Sequence, residues 1–115
     1  DRALLGNLRR AGWKGGIRYP DGLRAFVYRN GDDAYVLFFG FDRTGPSEKY
    51  VEFDGRRLDL VLGSKTCGVV HVRGDRIVSY AVKGTNEFEG GSAAVELRLG
   101  SQRIAFEGDA SGYGL

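Results

Sequence analysis

The single histidine is the first residue to test for catalysis, because imidazole is the usual proton-transfer group near neutral pH. A possible nucleophile, Cys67, stands four residues before His71. Side chains four apart on a strand point the same way but lie about 13 Å apart, too far for proton transfer. We therefore expect no Cys–His dyad and predict that His71 packs in the core on an apolar face. The other members of that face are Cys67, Val69, Val78, Tyr80 and Val82.

Paired carboxylates are the second chemistry to test, since glycoside hydrolysis uses two of them. Asp32 and Asp33 are adjacent, but Asp32 is expected to pair with Arg29 across a turn. Glu87 and Glu89 lie in a loop that lacks the Asp-rich spacing of a calcium loop, which favours a solvated loop. One His and one Cys do not provide a zinc site. The sequence predicts no catalytic residue, metal or cofactor.

Aromatic residues provide a third possibility, the binding of sugars or bases by ring stacking. Trp13, Tyr19 and Tyr50 have polar or turn-forming neighbours and are predicted to be exposed platforms. Polar contacts to a ligand are expected from Arg18, Asn86 and Glu87. Packing at one end of the domain, or against a partner domain, is the alternative for each ring. Four phenylalanines are predicted in the core: Phe26, Phe38, Phe39 and Phe106.

The chain has the length and composition of one globular domain, with 115 residues, 42% hydrophobic and 28% charged. Its longest apolar stretch, 34–41, is far shorter than the ~18 residues that span a bilayer, so no membrane partner is expected. The single cysteine excludes an intramolecular disulfide and leaves the compartment undetermined. Because the chain begins with Asp1 and contains no Met, we expect it to be excised from a longer protein.

Positive charge is concentrated at the start of the chain. Residues 1–30 carry seven basic and two acidic side chains, a net charge of +5, which leaves −3 for the rest. Such an end would attract phosphate or an acidic partner, or would form a solvated flank.

The elements that must position these residues are mainly strands. Residues 3–11 are the exception, because Leu4, Leu5 and Leu8 share one helical face and two arginines follow, which predicts a short N-terminal helix or irregular segment. Glycine makes up 19 residues, which predicts many tight turns. Four two-residue hairpin turns are expected: Asn30-Gly31, Asp54-Gly55, Gly74-Asp75 and Gly100-Ser101.

These turns fix the registers of eight strands. The predicted pairs include Val27 with Ala34, Glu52 with Arg57, His71 with Val78, and Leu97 with Ile104. The strand 34–41 is apolar at both odd and even positions and is predicted to be covered on both faces. In the strands 94–99 and 102–107 apolar and polar residues alternate, so these strands should be half exposed near a sheet edge. Consecutive antiparallel hairpins make two packed sheets or a closed barrel. We predict one all-β sandwich domain over 1–115, with an N-terminal segment, 1–20, and a loose tail, 108–115.

A resemblance to a known family covers the stretch from Gly22 to Glu89. The runs YVLFFGF (35–41) and VEFDGRRLDL (51–60) resemble strands of the small C-terminal all-β domains that follow the catalytic barrel in many glycoside hydrolases. The run VKGTNE (82–87) is similar to one found in β-galactosidase-like enzymes. The resemblance implies an accessory role without catalytic residues: packing on the catalytic domain of the same parent chain, oligomer contact, or weak carbohydrate binding.

Two functions of different classes therefore stand as expectations. The first is a noncatalytic β-sandwich accessory module of a carbohydrate-active enzyme, structural or weakly carbohydrate-binding. The second is a small nucleic-acid-binding barrel that uses the basic N-terminal segment, and its binding would weaken steeply with salt. We favour the first, and nucleic acid is the less expected partner.

Overall fold

The computed structural model describes residues 16–86 and 90–113, which form nine β-strands and no helix. These strands are β1 (Leu23–Asn30), β2 (Asp33–Gly40), β3 (Ser47–Phe53), β4 (Arg56–Leu62), β5 (Cys67–Arg73), β6 (Arg76–Lys83), β7 (Ala94–Leu99), β8 (Gln102–Glu107) and β9 (Ala110–Tyr113). One antiparallel sheet has the order β1-β2-β5-β6-β9 and the other β3-β4-β7-β8. The two-sheet sandwich is confirmed, and both sheets keep open edges, so the fold is not a closed barrel. The predicted helix over 3–11 lies outside the described residues.

Three of the four predicted turns are confirmed. At Asp54-Gly55 both residues have positive φ, 50° and 72°, and Glu52 pairs with Arg57 as expected. At Gly74-Asp75 and Gly100-Ser101 the glycine alone has positive φ, and Leu97 pairs with Ile104. Local turn chemistry is therefore sufficient to place these hairpins.

The first hairpin differs from its prediction by one turn position. Asn30 pairs with Asp33, so the turn is Gly31-Asp32 and the pairing shifts by two residues. A shift by two keeps the same parities of β1 and β2 together on one face. In the β5–β6 hairpin a bulge follows His71, which consequently lies opposite Ser79 rather than Val78. The bulge changes the parity of β6, so that Ile77 before it and Val82 after it both lie in the core.

The core lies between the sheets and is built from alternate residues of β1–β8, with a change of parity at the bulge in β6. The side chains of Val36, Leu58, Val70 and Leu97 have no exposed surface. In β7 the odd positions are buried and the even positions are not. β8 is an edge strand in which alternate residues are half-buried and the others are exposed. The prediction that 94–99 and 102–107 are half exposed is confirmed. Burial of this continuous apolar layer is the main source of stability.

The prediction that β2 is covered on both faces is wrong. Leu37 and Phe39 are 44% and 42% exposed, because only the inward parity of the strand meets the opposite sheet. Phe38 is in the core as predicted and Phe106 packs against it half-buried, but Phe26 and Phe39 lie on the outer face. A sandwich built from hairpins buries one face of each sheet, so apolar residues at both parities leave an exposed apolar surface.

The end of the chain adds a strand where the sequence indicated a loose tail. Residues 110–113 form β9, which pairs with β6 at the edge of the five-stranded sheet. The pattern Ala-Ser-Gly-Tyr contains little apolar surface, so nothing local identifies it as a strand. Its position depends on the free edge of β6.

A salt bridge joins the two sheets at their turn ends. Arg29 of β1 donates from Nε and Nη2 to the two carboxylate oxygens of Asp54, at 2.7 and 2.8 Å. The predicted pairing of Arg29 with Asp32 is therefore wrong, because the carboxylate of the other sheet offers bidentate geometry. Hydrogen bonding from Arg29, opposed by burial and helped by the nearby charges, holds the pKa of Asp54 below its usual value.

We expect Asp54→Asn to lower the free energy of unfolding by about 1–2 kcal/mol at pH 7. Asn adopts positive φ readily, so the turn is kept and only the charge is lost. Because folding lowers the pKa of Asp54, its negative charge stabilises the folded protein fully above the pKa of the unfolded chain, near 3.9. This contribution is lost as the pH falls through the lower pKa of the folded protein. Urea unfolding from pH 7 to pH 3 should show the two curves converging below about pH 4. Asp75→Asn, in an exposed turn, is the control, and a constant gap at all pH values would contradict the assignment.

Candidate functional site

The outer face of the five-stranded sheet carries most of the exposed aromatic residues. The register aligns its outward side chains in rows across the strands. One row, here called the ring row, contains Tyr28, Tyr35, His71, Ser79 and Tyr113. The next, the polar row, contains Asn30, Asp33, Arg73 and Arg76. Strand-by-strand pairing thus brings residues from five strands to one surface.

The ring row combines packed and free rings. The rings of Tyr35 and His71 stack at 4.4 Å between centroids with 17° between planes, and Tyr28 lies 6.3 Å from Tyr35. Tyr28 is 65% exposed and Tyr113 is 83% exposed. The centre of the row is therefore held in place, and its two ends present aromatic surface to solvent.

Beside the ring row lies an apolar groove of about 370 Å³. Its apolar lining consists mainly of Phe26, Leu37, Phe39, Cys67, Val69 and Ala81, with Arg24 at the rim. Phe39 also stacks on Phe41, with centroids 6.2 Å apart. We call these six lining residues the apolar groove.

His71 does not lie in the core as predicted. Val70 and Val72 occupy the inward positions of β5, so His71 points outward and remains half-buried. Its Nε2 lies 2.8 Å from Oδ1 of Asp33, and Nε of Arg73 donates to the same oxygen at 2.8 Å. Hydrogen bonds from Arg73 and then His71 hold the pKa of Asp33 below its usual value. The carboxylate therefore orients the imidazole on the sheet surface.

The His71–Asp33 pair has no nucleophile in the described part of the chain. Ser79 is the cross-strand neighbour of His71, but neither its hydroxyl nor the Cys67 thiol hydrogen-bonds to the imidazole among residues 16–86 and 90–113. Over the same residues, no group of three or more His, Cys, Asp and Glu side chains could hold a metal ion. The arrangement in this region provides binding surface and hydrogen bonds rather than an activated nucleophile.

Most of the predicted sugar-binding residues lie elsewhere. Tyr50, on the four-stranded sheet, is covered by the guanidinium of Arg57, 4.1 Å from its ring centroid. Arg18 forms a backbone bridge with Glu52 beside the edge strand β3, and Tyr19 next to it is 39% exposed. These three residues are not brought to the ring row.

Asn86 has a structural role. Its Oδ1 accepts a hydrogen bond from the Ser64 amide at 3.2 Å, and its Nδ2 donates to the Ser92 carbonyl at 3.1 Å. The side chain thereby ties the loop after β4 to the segment before β7. Trp13 and Glu87 lie outside the described residues.

The exposed aromatic face has a pattern in the sequence, but the pattern does not distinguish an exposed face from a buried one. In β1 the aromatic residues Phe26 and Tyr28 are at even positions, and the neighbouring odd positions are Ala25 and Val27. This strand therefore has one aromatic face and one face of small apolar side chains. Only one of the two faces can enter the core of a sandwich. The sequence does not indicate which one remains outside.

No family model, curated protein or solved structure matches this chain. In the described residues, no helix is long and apolar enough to cross a membrane. The function of this chain is therefore inferred from the chemistry of its outer face.

Proposed function

We propose that this chain is a noncatalytic β-sandwich accessory module of a carbohydrate-active enzyme, and that it binds carbohydrate along the ring row. The observation that carries the proposal is the alignment of Tyr28, Tyr35, His71 and Tyr113 across five strands, with Tyr28 and Tyr113 largely exposed. The partner in the same parent chain would be its catalytic domain.

Sugar rings require two kinds of contact, and both are present on the outer face. The apolar C–H face of a pyranose packs on an aromatic ring, and its hydroxyl groups need hydrogen-bonding partners. Asp33 and Arg73 provide such groups in the row next to the aromatics. Adjacent strands are about 4.8 Å apart, so the ring row extends for about 19 Å, a length suited to an oligosaccharide rather than a single sugar.

Tyr28→Ala and Tyr113→Ala should each weaken polysaccharide binding about tenfold, equivalent to about 1.4 kcal/mol. Neither should change the melting temperature by more than a few degrees, because both rings are mostly exposed. The measurement is affinity electrophoresis against a panel of soluble neutral and acidic polysaccharides. Tyr50→Ala is the matched control, since Tyr50 lies on the other sheet under Arg57 and should bind as the unaltered protein does.

Two results would overturn the proposal. One is that the unaltered protein is not retarded by any polysaccharide in the panel. The other is that it binds a single-stranded oligonucleotide with an affinity that falls steeply between 50 and 200 mM salt, which would favour the nucleic-acid function instead.

A further inference from the structure

The outer faces of the two sheets carry opposite net charge. On the five-stranded sheet the outward strand positions hold four basic residues and one acidic residue, a net charge of +3 when His71 is neutral: Arg24, Arg73, Arg76, Lys83 and Asp33. On the four-stranded sheet they hold three arginines and five acidic residues, a net charge of −2, the acidic residues being Glu48, Glu52, Asp59, Glu96 and Glu107. The face that carries the ring row is therefore the one that attracts anions.

Most of the cations on the five-stranded sheet have no counterion within the protein. Arg73 pairs with Asp33 through its Nε at 2.8 Å. Within the part of the chain that the structure describes, the other three form no salt bridge and no side-chain hydrogen bond: Arg24, Arg76 and Lys83. The three arginines on the outer face of the four-stranded sheet, in contrast, each contact a carboxylate of that same face. The positive charge beside the ring row is thus available to an external anion.

Two of these cations, Arg73 and Arg76, lie directly opposite each other in the polar row. Like charges at facing positions of neighbouring strands destabilise a sheet, and an anion bound between them removes that repulsion. Arg73 donates only its Nε–H to Asp33, which holds the side chain in place and leaves its other four N–H donors without a partner among the described residues. Asp32 and Asp75 lie in the adjacent turns, and neither forms a salt bridge with the two arginines. The pair of guanidinium groups therefore presents donors to a carboxylate or sulfate group.

The arginine pair is close enough to the ring row to contact the same ligand. The polar row is two residues farther along each strand, a distance of about 7 Å. A sugar ring that packs on the ring row can therefore direct an acidic substituent toward Arg73 and Arg76. Arg24 and Lys83 are four residues from the ring row on its other side, about 13 Å away, where they add to the positive potential without contacting the same sugar.

The distribution of the cations favours a polysaccharide over a single-stranded nucleic acid. A nucleic acid carries a phosphate at every nucleotide, and its binding sites have positive charge along the whole backbone. In the polar row the cations come only from β5 and β6, whereas Asn30 and Asp33 occupy the positions on β1 and β2. One cationic position beside a long row of rings fits a chain of sugars in which one acidic group is bound and the neighbouring sugars contact aromatic surface.

We propose that the carbohydrate bound along the ring row is an acidic polysaccharide, with one of its carboxylate or sulfate groups bound by Arg73 and Arg76. This inference rests on the carbohydrate binding proposed above and adds the charge of the ligand. Neutral polysaccharides lack the group that the two arginines bind, so their affinity should be lower.

Two matched pairs of polysaccharides test the proposal by isothermal titration calorimetry: polygalacturonate with its neutral, carboxyl-reduced form, and dextran sulfate with dextran. We expect an acidic member to bind at least tenfold more tightly than its neutral partner, and the pair that shows this difference identifies the anion. Arg76→Gln should weaken binding of the acidic member about tenfold, as expected for the loss of one charge-assisted contact, and leave binding of the neutral member unchanged. Its melting temperature should not fall, because the substitution removes a like-charge pair.

The matched control is Arg98→Gln, which removes the same charge from the outer face of the four-stranded sheet and leaves Glu96 paired with Arg103. This variant should bind as the unaltered protein does. Equal affinity for the acidic and neutral members of both pairs would overturn the proposal and leave carbohydrate binding intact. Equal losses in Arg76→Gln and Arg98→Gln would also overturn it, since net charge alone would then account for the affinity.

Two further results would contradict both the acidic ligand and carbohydrate binding itself. One is that no member of either pair binds. The other is that a single-stranded oligonucleotide binds more tightly than every polysaccharide tested, which would identify a nucleic acid as the ligand of this face.

Discussion

Leu97→Ala should lower the free energy of unfolding by about 3–4 kcal/mol, whereas Leu37→Ala should lower it by about 1 kcal/mol or less. Both leucines lie in strands that are paired on each side, β7 and β2. Leu97 has no exposed surface, and its truncation leaves a cavity between the sheets. Leu37 is 44% exposed on the outer face, so water can occupy the space that its side chain leaves.

Urea unfolding followed by circular dichroism measures both changes, and an unaltered m-value would show that the unfolded states are comparable. The comparison tests the orientation of the five-stranded sheet directly, because sequence alone places both leucines in apolar strands. Equal losses for the two variants would mean that the outer face of β2 is covered as fully as the core.

Gly63→Ala should destabilise the protein by about 3 kcal/mol, although Gly63 has no unusual backbone angle. A Cβ at this position would overlap the Ala93 methyl group and the Asn86 amide oxygen, and would lie 2.8 Å from the Thr85 carbonyl oxygen. Ala93 is buried, and Asn86 is held by two hydrogen bonds. The added methyl group must therefore displace a packed loop rather than a free side chain.

Gly16→Ala is the matched control, because it makes the same substitution where a Cβ would meet nothing within 4 Å. Its melting temperature should stay within about 2 °C of the unaltered protein, while that of Gly63→Ala should fall by more than about 10 °C. A small effect at Gly63 would mean that the loop around Asn86 can move away, and hence that Asn86 is available to a ligand as the sequence suggested.

The structure exposes aromatic residues that the sequence does not single out. The sequence directed attention to Trp13, Tyr19 and Tyr50, because polar or turn-forming neighbours usually accompany exposure. Tyr50 is instead covered by an arginine, and the exposed rings Tyr28 and Tyr113 occupy ordinary strand positions. Exposure of a strand residue depends on whether a sheet faces it, and no property of its sequence neighbours reports that.

His71 shows the same limit for a polar group. The neighbours that the sequence predicts for it on β5 and β6, such as Val69 and Val78, are apolar and favour a core position. In the structure Asp33 and Arg73 meet it on the outer face instead. Asp33 is 38 residues away in sequence and reaches His71 only through the β2–β5 pairing. Long-range pairing of this kind leaves no local signal.

The sequence by itself determined the class of fold and the registers of the β3–β4 and β7–β8 hairpins. Turns such as Asp54-Gly55 need positive φ at particular positions, and residues adjacent in the chain supply it, while alternation with period two sorts side chains onto two faces. Only the tertiary structure decided which of two apolar faces of β1 and β2 enters the core, and that β9 completes the sheet. Both outcomes depend on surfaces that distant parts of the chain form when they pack together: the inner face of the second sheet and the free edge of β6. These surfaces do not exist in any local stretch of the sequence.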